Sequence, residues 1–382
     1  MTRAPARRRK RVAVVTGTRA EYGLLRSVMQ AIRDHPQLTL QLAVTGMHLL
    51  PRFGRTIDEI RRDGWRVDAR VRMQRGSDDA TDQARGLSLG VRGLAEFFES
   101  ARSDVVLVLG DRVEALAGAL AGVTTGRIVA HIHGGDVALG DYDDSLRHAI
   151  SKLAHVHFAA TRAAARRLVR MGEESRRVHV VGAPGLDRLR ALCSSDTPRE
   201  REPVAVVVQH PTGREPRIEQ RVAATVLDAV KRAGLGRCVI YPNSDRGSSG
   251  IVRAIERHAR RHGKREVRVE RSMPRDGFLR TLMGARLLVG NSSCGLIEAP
   301  FCGVAVVNVG DRQCSRQPGG RAIVHAGESA AQIERALRAA LRLRPRARAA
   351  GVYGDGRAGV RIAQVLARSR FGEDTRRKLI TY

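Results

Sequence analysis

Two runs of branched apolar residues, Val105–Leu109 and Ile128–Ile132, most constrain what this chain can fold into. Each has the length of a strand buried on both faces. Val113–Ala121 between them reads as a helix that stops near Gly122. The result is a βαβ unit. Both strands end in glycine and ionisable groups, Gly110-Asp111-Arg112 and His133-Gly134-Gly135-Asp136. Open α/β sheets take their ligands beyond the carboxyl ends of their strands, so chemistry is expected at this edge.

The same alternation extends in both directions. Upstream, Val12–Val15 reads as a strand, and Leu24, Leu25, Val28, Met29 and Ile32 recur at helical spacing. The loop between them, Thr16 to Gly23, offers helix N-terminal amides and Arg19 to an anion, although G-x-G-x-x-G is absent. Leu38–Val44 reads as a strand, Ile57 and Ile60 mark a helix, Arg66–Val71 suggests a strand, and Arg75–Asp82 reads as a polar loop before a helix over Gly86–Ser100. After the central unit, Asp143 to His148 opens a helix, with Asp143 or Asp144 as an N-cap candidate. Val156–Ala160 is a strand, Thr161 caps a basic helix to Met171, and Val178–Val181 closes this half.

Ala191–Pro203 is polar and proline-bearing, and reads as an interdomain linker. Alternation then restarts, with strands over Val204–Val208, Cys238–Tyr241, Val267–Glu270, Arg286–Gly290 and Val304–Val309. Helices are expected over Ile218–Ala233, Ile251–Arg261, Phe278–Met283, Leu296–Phe301, Ala331–Leu341 and Val360–Arg368. Such alternation makes two doubly wound sheets. The expected organisation is a first domain over 1–190, a second over 204–360, and a helix and tail over 361–382 that returns to the first. A nucleotide-sized ligand is expected in a cleft between the domains.

The formal charge of +29 raises the question of nucleic acid. Only Lys10, Lys152, Lys231, Lys264 and Lys378 among the 68 basic residues are lysine, and the arginines are spread along the chain. That bias fits the codon usage of a GC-rich genome, and an aromatic content of 3% leaves few stacking platforms for single strands. Anionic small ligands suit the charge better. No run of eighteen apolar residues spans a membrane, and the basic start leads straight into a strand rather than a signal peptide. A cytoplasmic enzyme is expected, with five free thiols and no C-x-x-C pair.

Several clusters can carry chemistry. In Asn291-Ser292-Ser293-Cys294-Gly295, between a strand and a helix, two hydroxyls and exposed amides can hold a diphosphate without metal. Glu298 can accept from ribose hydroxyls and Arg312 can pair with phosphate; the plain alternative is a capped helix with Glu298 complementing its dipole. Asp111, Asp136 and Asp143 offer acids and bases, and Arg112, Arg147, His148 and His210 offer positive charge and proton donors. Equally, Asp111 can pair with Arg112, and His148 can be a satisfied core residue. His131/His133 and His155/His157 each share a strand face, yet no third ligand stands at a diagnostic spacing. Cys294 has no base paired with it in sequence.

Taken together, the segments GTRAEYGLL, GDRVEAL, HIHGGD, DDSLRHAISKLAH, HPTG, YPNSDRG and GNSSCGLIEAP resemble the UDP-N-acetylglucosamine 2-epimerases, in the same order over about residues 11 to 325. The branch they most resemble is that of the hydrolysing enzymes of sialic acid biosynthesis. The resemblance implies a glycosyltransferase-B type fold of two Rossmann-like domains, UDP held mainly by the second domain, no metal, no nicotinamide, and a homodimer. It implies conversion of UDP-N-acetylglucosamine and water to UDP and N-acetylmannosamine: elimination of UDP to a 2-acetamidoglucal, addition of water at C1, and return of the proton to the opposite face of C2. By position, Arg19, Ser292 and Ser293 would contact phosphate and Glu298 the ribose. Arg112, His210, Asn243 and Arg312 would line the nucleotide site. Asp111 and Asp143 would transfer protons, with Arg147 and His148 beside them.

The chain departs from the family where many members read HIEGGE. His133 stands at a glutamate position and Asp136 is a shortened acid. The loop Val137–Tyr142 is a residue longer than in some relatives. Other readings are a non-hydrolysing epimerase, a hydrolysing epimerase for a 2,4-diacetamido or GDP-linked sugar, a glycosyltransferase, and a nucleotide-sugar binder without turnover.

Overall fold

The computed structural model describes residues 8–51, 55–74, 80–137, 143–193, 201–243, 246–271, 273–317, 320–347, 351–379 and 381. The chain forms two compact units. One comprises Met1–Asp136, Tyr142–Asp187 and Gly356–Tyr382; the other comprises Val137–Asp141 and Arg188–Asp355.

The first unit runs β1 (Lys10–Thr16), α1 (Arg19–Asp34), β2 (Leu38–Thr45), α2 (Ile57–Arg62), β3 (Ala69–Val71), α3 (Ala80–Ser100), β4 (Val105–Leu109), α4 (Val113–Thr124), β5 (Ile128–Ile132), α5 (Asp143–Leu153), β6 (Val156–Ala159), α6 (Arg162–Arg170) and β7 (Val178–Val180), and ends within α7 (Gly185–Leu192), whose residues from Arg188 on belong to the second unit. Its seven strands are parallel in the order β3-β2-β1-β4-β5-β6-β7, so the winding reverses between β1 and β4. Alternation along β1 explains the layers. Val12 and Val14 face one apolar core with Leu25, Met29 and Ile32 of α1, while Ala13 and Val15 face the other with Leu94 and Phe98 of α3 and Ala115 of α4.

The second unit runs β8 (Glu202–Val208), α8 (Pro216–Arg232), β9 (Gly236–Ile240), α9 (Ser248–Glu266), β10 (Val267–Glu270), α10 (Arg275–Gly284), β11 (Ala285–Gly290), α11 (Cys294–Phe301), β12 (Ala305–Val309), β13 (Ile323–Ala326) and α12 (Ala330–Arg342). Its parallel order is β10-β9-β8-β11-β12-β13, with the reversal between β8 and β11. At that reversal Gly290 has φ +135°, and a Cβ there would lie 2.1 Å from the carbonyl oxygen of Val208.

The chain then returns to the first unit with α13 (Ala358–Arg368) and a short α14 (Glu373–Arg376). Ile362 and Leu366 are fully buried in the core that α1 lines. Gly359 lets α13 approach α1, where a Cβ would sit 2.7 Å from Ser27 O. Beyond α14, Lys378 Nζ donates to the carbonyls of Ser151, Lys152 and Ala154 at the end of α5, and pairs with Glu173 at 2.6 Å. Burial alone would raise the Glu173 pKa; hydrogen bonds from His157, Lys378 and Lys152 reverse this and hold it at about 2.

Several elements differ from the sequence reading. α3 begins at Ala80, so Ala80–Asp82 is helical rather than loop, while 75–79 lie outside the described residues. α7 continues to Leu192, where a turn and the start of a linker were expected; Leu186 and Leu189 are buried and supply its packing face. Of that linker, 194–200 lie outside the described residues, as do 138–142 of the loop after Asp136. β13 is an edge strand of four residues that are only partly covered or exposed, and it was not expected from the sequence. Among the described residues no helix is long and apolar enough to cross a membrane.

Candidate functional site

In the first unit the candidate residues lie beyond the carboxyl ends of β1, β4 and β5. Gly110 has φ +81° and turns the chain sharply after β4. Asp111 follows, and its carboxylate accepts from Arg147 Nη2 of α5, a side chain only 2% exposed. Arg147 also lies 3.9 Å from Asp144. Asp111 therefore pairs with Arg147 rather than with its neighbour Arg112. Arg112 donates instead to Glu114 at 3.2 Å. Asp143 and Asp144 form the first turn of α5 rather than standing outside it as a cap. Asp144 lies 3.4 Å from His148 Nε2, and the negative charge of Asp143 acts on Arg112.

After β5, His133 takes the left-handed conformation, φ +64°, and its Nδ1 donates to Asp136 Oδ2 at 2.9 Å. Both side chains are buried. With Nδ1 donating to Asp136, Nε2 is the ring nitrogen turned away from that bond. The left-handed Gly135 is required here because a Cβ would meet Ala164 O at 2.4 Å. His131 does not pair with His133. Its Nε2 donates to Gly110 O at 2.7 Å, which leaves Nδ1 to accept from Ser151 Oγ at 3.1 Å. Burial holds its pKa down at about 3, so this neutral ring ties the turn after β4 to α5. His155 Nδ1 accepts from Val129 N at 3.0 Å, and His157 pairs with Glu173 at 2.9 Å. Neither histidine pair forms a common ligand set.

The start of α1 holds a feature that sequence reasoning missed. Thr18 and Glu21 form a capping box, and Glu21 Oε2 accepts from the amides of Gly17 (2.9 Å) and Thr18 (3.0 Å). These amides, offered by the sequence to an external anion, hold an internal carboxylate. Arg19 pairs with Glu59 at 3.0 Å. Beside Glu21, Glu114 is fully buried and its Oε1 has no hydrogen-bond partner. Burial, then the Glu114 charge, push the Glu21 pKa up to about 7, against the opposing pull of Arg112 and the two amides. The spacing Thr18-x-x-Glu21 was the available signal; Glu114 had none.

In the second unit the candidates gather at the ends of β8, β9, β11 and β12. Asn291 Oδ1 accepts from His210 N at 2.7 Å, and Asn291 Nδ2 donates to His210 O at 2.8 Å, so one amide locks β8 to β11. His210 Nδ1 accepts from Asn243 N at 3.1 Å, which leaves the ring proton on Nε2. Desolvation and the Arg312 charge hold the His210 pKa at about 3, and the ring is a neutral donor. Arg312 (3.4 Å) and Gln313 (2.9 Å) donate to Asn291 O. Ser293 occupies the N-cap of α11 without a side-chain cap bond, and Ser292 Oγ accepts from Cys294 Sγ at 3.1 Å. Burial and the Glu298 charge push the Cys294 thiol up to about 12, which removes it as a nucleophile. Glu298, 6% exposed, accepts from Arg275. Nearby, fully buried Glu219 accepts from Thr212 N and Oγ1, both at 2.8 Å, and Arg214 grips Glu328 through two bonds of 2.8 and 2.7 Å. Gln313, Arg275, Arg214 and Glu219 were not found from sequence, because their partners lie far along the chain or carry no motif.

A sequence-family model described as UDP-N-acetylglucosamine 2-epimerase matches residues 30–367. The chain belongs to that family. It is 34% identical to UDP-N,N'-diacetylbacillosamine 2-epimerase (hydrolyzing) of Legionella pneumophila, over 94% of this chain and 95% of that protein. It is 35% identical to a UDP-N-acetylglucosamine 2-epimerase of Neisseria meningitidis, over 83% of each. Among solved structures, the Neisseria meningitidis UDP-GlcNAc 2-epimerase bound to UDP-GlcNAc matches with a TM-score of 0.76 at 16% identity, covering 94% of this chain and all of that one. The fold of this family member is thus α/β, with the two Rossmann-like sheets of the glycosyltransferase-B type.

Proposed function

We propose that this epimerase-family chain is a hydrolysing enzyme that converts UDP-N-acetylglucosamine and water to UDP and N-acetylmannosamine. The observation that carries the reading is the pair of acid–base groups at adjoining strand ends. Asp111 is fixed by buried Arg147 after β4, and His133 is oriented by Asp136 after β5. Epimerisation at C2 with loss of UDP needs a base for the C2 proton on one face and a proton donor on the other. Asp111 and Asp143 are the carboxylates assigned to those steps. Hydrolysis also needs a base for the water that adds to C1. A non-hydrolysing enzyme has no such step, and the His133–Asp136 pair supplies one.

The diphosphate is assigned to the second unit's Ser292 and Ser293, with the Nε2 proton of His210, Asn243 and Arg312 around it, and Glu298 at the ribose. Arg19 and Arg112 are assigned to phosphate from the first unit. Cationic and amide donors stabilise the charge that develops on departing UDP. No step calls for a metal or a nicotinamide.

A second reading changes only the sugar. The Legionella relative, similar along nearly its whole length, is named for a diacetamido sugar and for hydrolysis. Incubation with UDP-N-acetylglucosamine and with UDP-N,N'-diacetylbacillosamine in heavy water tests both. Free UDP appearing one for one with a C2-deuterated free sugar supports hydrolysis, and the faster substrate identifies the sugar. A UDP-linked manno product without free UDP refutes hydrolysis; product without C2 deuterium refutes epimerisation.

A further inference from the structure

The second unit carries a chemical cluster away from its candidate site. α9 meets Gly263 at φ +71°, so its regular part ends at His262. His258 and His262 stand one turn apart on that helix, with ring centroids 4.5 Å apart. From α8, Asp228 Oδ1 lies 3.3 Å from His258 Nδ1. One potential ligand atom from each of the three lies within 4.8 Å of the others.

We propose that Asp228, His258 and His262 form a binding site for a divalent transition-metal ion, with Zn²⁺ as the representative cation. Two imidazoles and a carboxylate are the donor set that Zn²⁺ and its neighbours in the first transition row accept. Histidines four residues apart on a helix share a face. His258 is 6% exposed and its Nε2 has no hydrogen-bond partner, so the ring is held in place and incompletely satisfied. The carbonyl end of a helix favours a cation. The nearby Lys231, Arg237 and Arg261 oppose one; of these, Arg237 is engaged by Glu266 at 2.7 Å.

A tetrahedral ion with bonds of about 2.0–2.1 Å needs ligand atoms roughly 3.3 Å apart. The cluster must therefore close from 4.8 Å, within reach of side-chain rotation at the half-exposed Asp228 and His262. Water completes the coordination. α8 ends before β9 begins, and α9 ends where β10 begins. The cluster thus lies toward the opposite edge of the sheet from His210 and Asn291, and the ion pins α8 to α9 without entering the proposed chemistry.

The test uses the full chain carrying Cys314→Ser, which removes the exposed thiol, freed of metal by a chelator that is then dialysed away. Calorimetric titration with ZnCl₂ is expected to show one saturable equivalent, with no saturable binding of MgCl₂ or CaCl₂. His262→Ala and Asp228→Asn are each expected to weaken Zn²⁺ at least tenfold, while UDP-sugar turnover stays unchanged. CoCl₂ is expected to give visible ligand-field absorption that His262→Ala abolishes. Absence of a saturable Zn²⁺ equivalent, or equal affinity in both folded variants, overturns the proposal.

Discussion

Replacing Glu21 with glutamine removes one buried ionisation from the start of α1. The side chain of Glu21 is 7% exposed, lies against the Glu114 charge, and has a pKa of about 7 instead of 4.5. That difference corresponds to about 3 kcal/mol of native-state cost for the ionised form. Between pH 4.5 and 7 the folded chain holds a proton that the unfolded chain has lost. Stability from this group is therefore complete below pH 4.5, falls as pH rises, and is gone above pH 7. Glutamine keeps an oxygen to accept the Gly17 and Thr18 amides and cannot ionise. The buried histidines titrate with the opposite sign. His48, His131, His155 and His210 have pKa values held at about 3 to 4, and the unfolded chain takes up their protons first as pH falls. They are common to both proteins, so the difference between variant and parent reports the coupled Glu21–Glu114 pair. For a unit of this size about 1 kcal/mol moves Tm by roughly 2–4 °C. Scanning calorimetry from pH 5 to 8.5 should show the Glu21→Gln variant gaining about 5–10 °C on the parent as pH rises, most of it by about pH 7.5, since a part of the loss is already complete at pH 5. A Tm offset that does not change with pH refutes the buried-carboxyl account.

Gly290→Ala places a Cβ 2.1 Å from Val208 O at φ +135°, and should cost about 3 kcal/mol or more; a loss under about 1 kcal/mol in urea denaturation contradicts the packing described. Asp111→Asn should abolish turnover while UDP still binds, measured by product chromatography and calorimetry; near-normal activity removes Asp111 from catalysis. Ser292→Ala with Ser293→Ala should weaken UDP by ~1–3 kcal/mol, and unchanged affinity places the phosphates elsewhere. Iodoacetamide at pH 7.5 should modify exposed Cys314 and spare Cys294 in the native protein, as read by peptide mass; early labelling of Cys294 contradicts its burial and high pKa.

The strands were legible wherever both faces are buried. Val105–Leu109 and Ile128–Ile132 have the same bounds in sequence and structure, because a run of branched residues between turn signals has little alternative. α7 was hidden because its apolar residues, Leu186 and Leu189, follow a proline and glycines that read as a stop. The candidate residues were legible as clusters at strand ends, but not as partners. Asp111 was weighed against Arg112, its neighbour, and the structure joins it to Arg147, 36 residues away. Which ionisable group lies opposite which is fixed by the register of β4, β5 and α5, and register is a tertiary fact. Sequence also suggested open amides before α1; the chain's own Glu21 fills them.

The return of α13 to the core beside α1 sets an order of events during synthesis. The first unit is discontinuous in the gene: its opening strands emerge early, but Ile362 and Leu366 are translated only after the whole second unit. The second unit can finish folding on the ribosome while the first still exposes the apolar groove awaiting α13. A stop codon placed near residue 355 would therefore injure the half of the molecule that was made first.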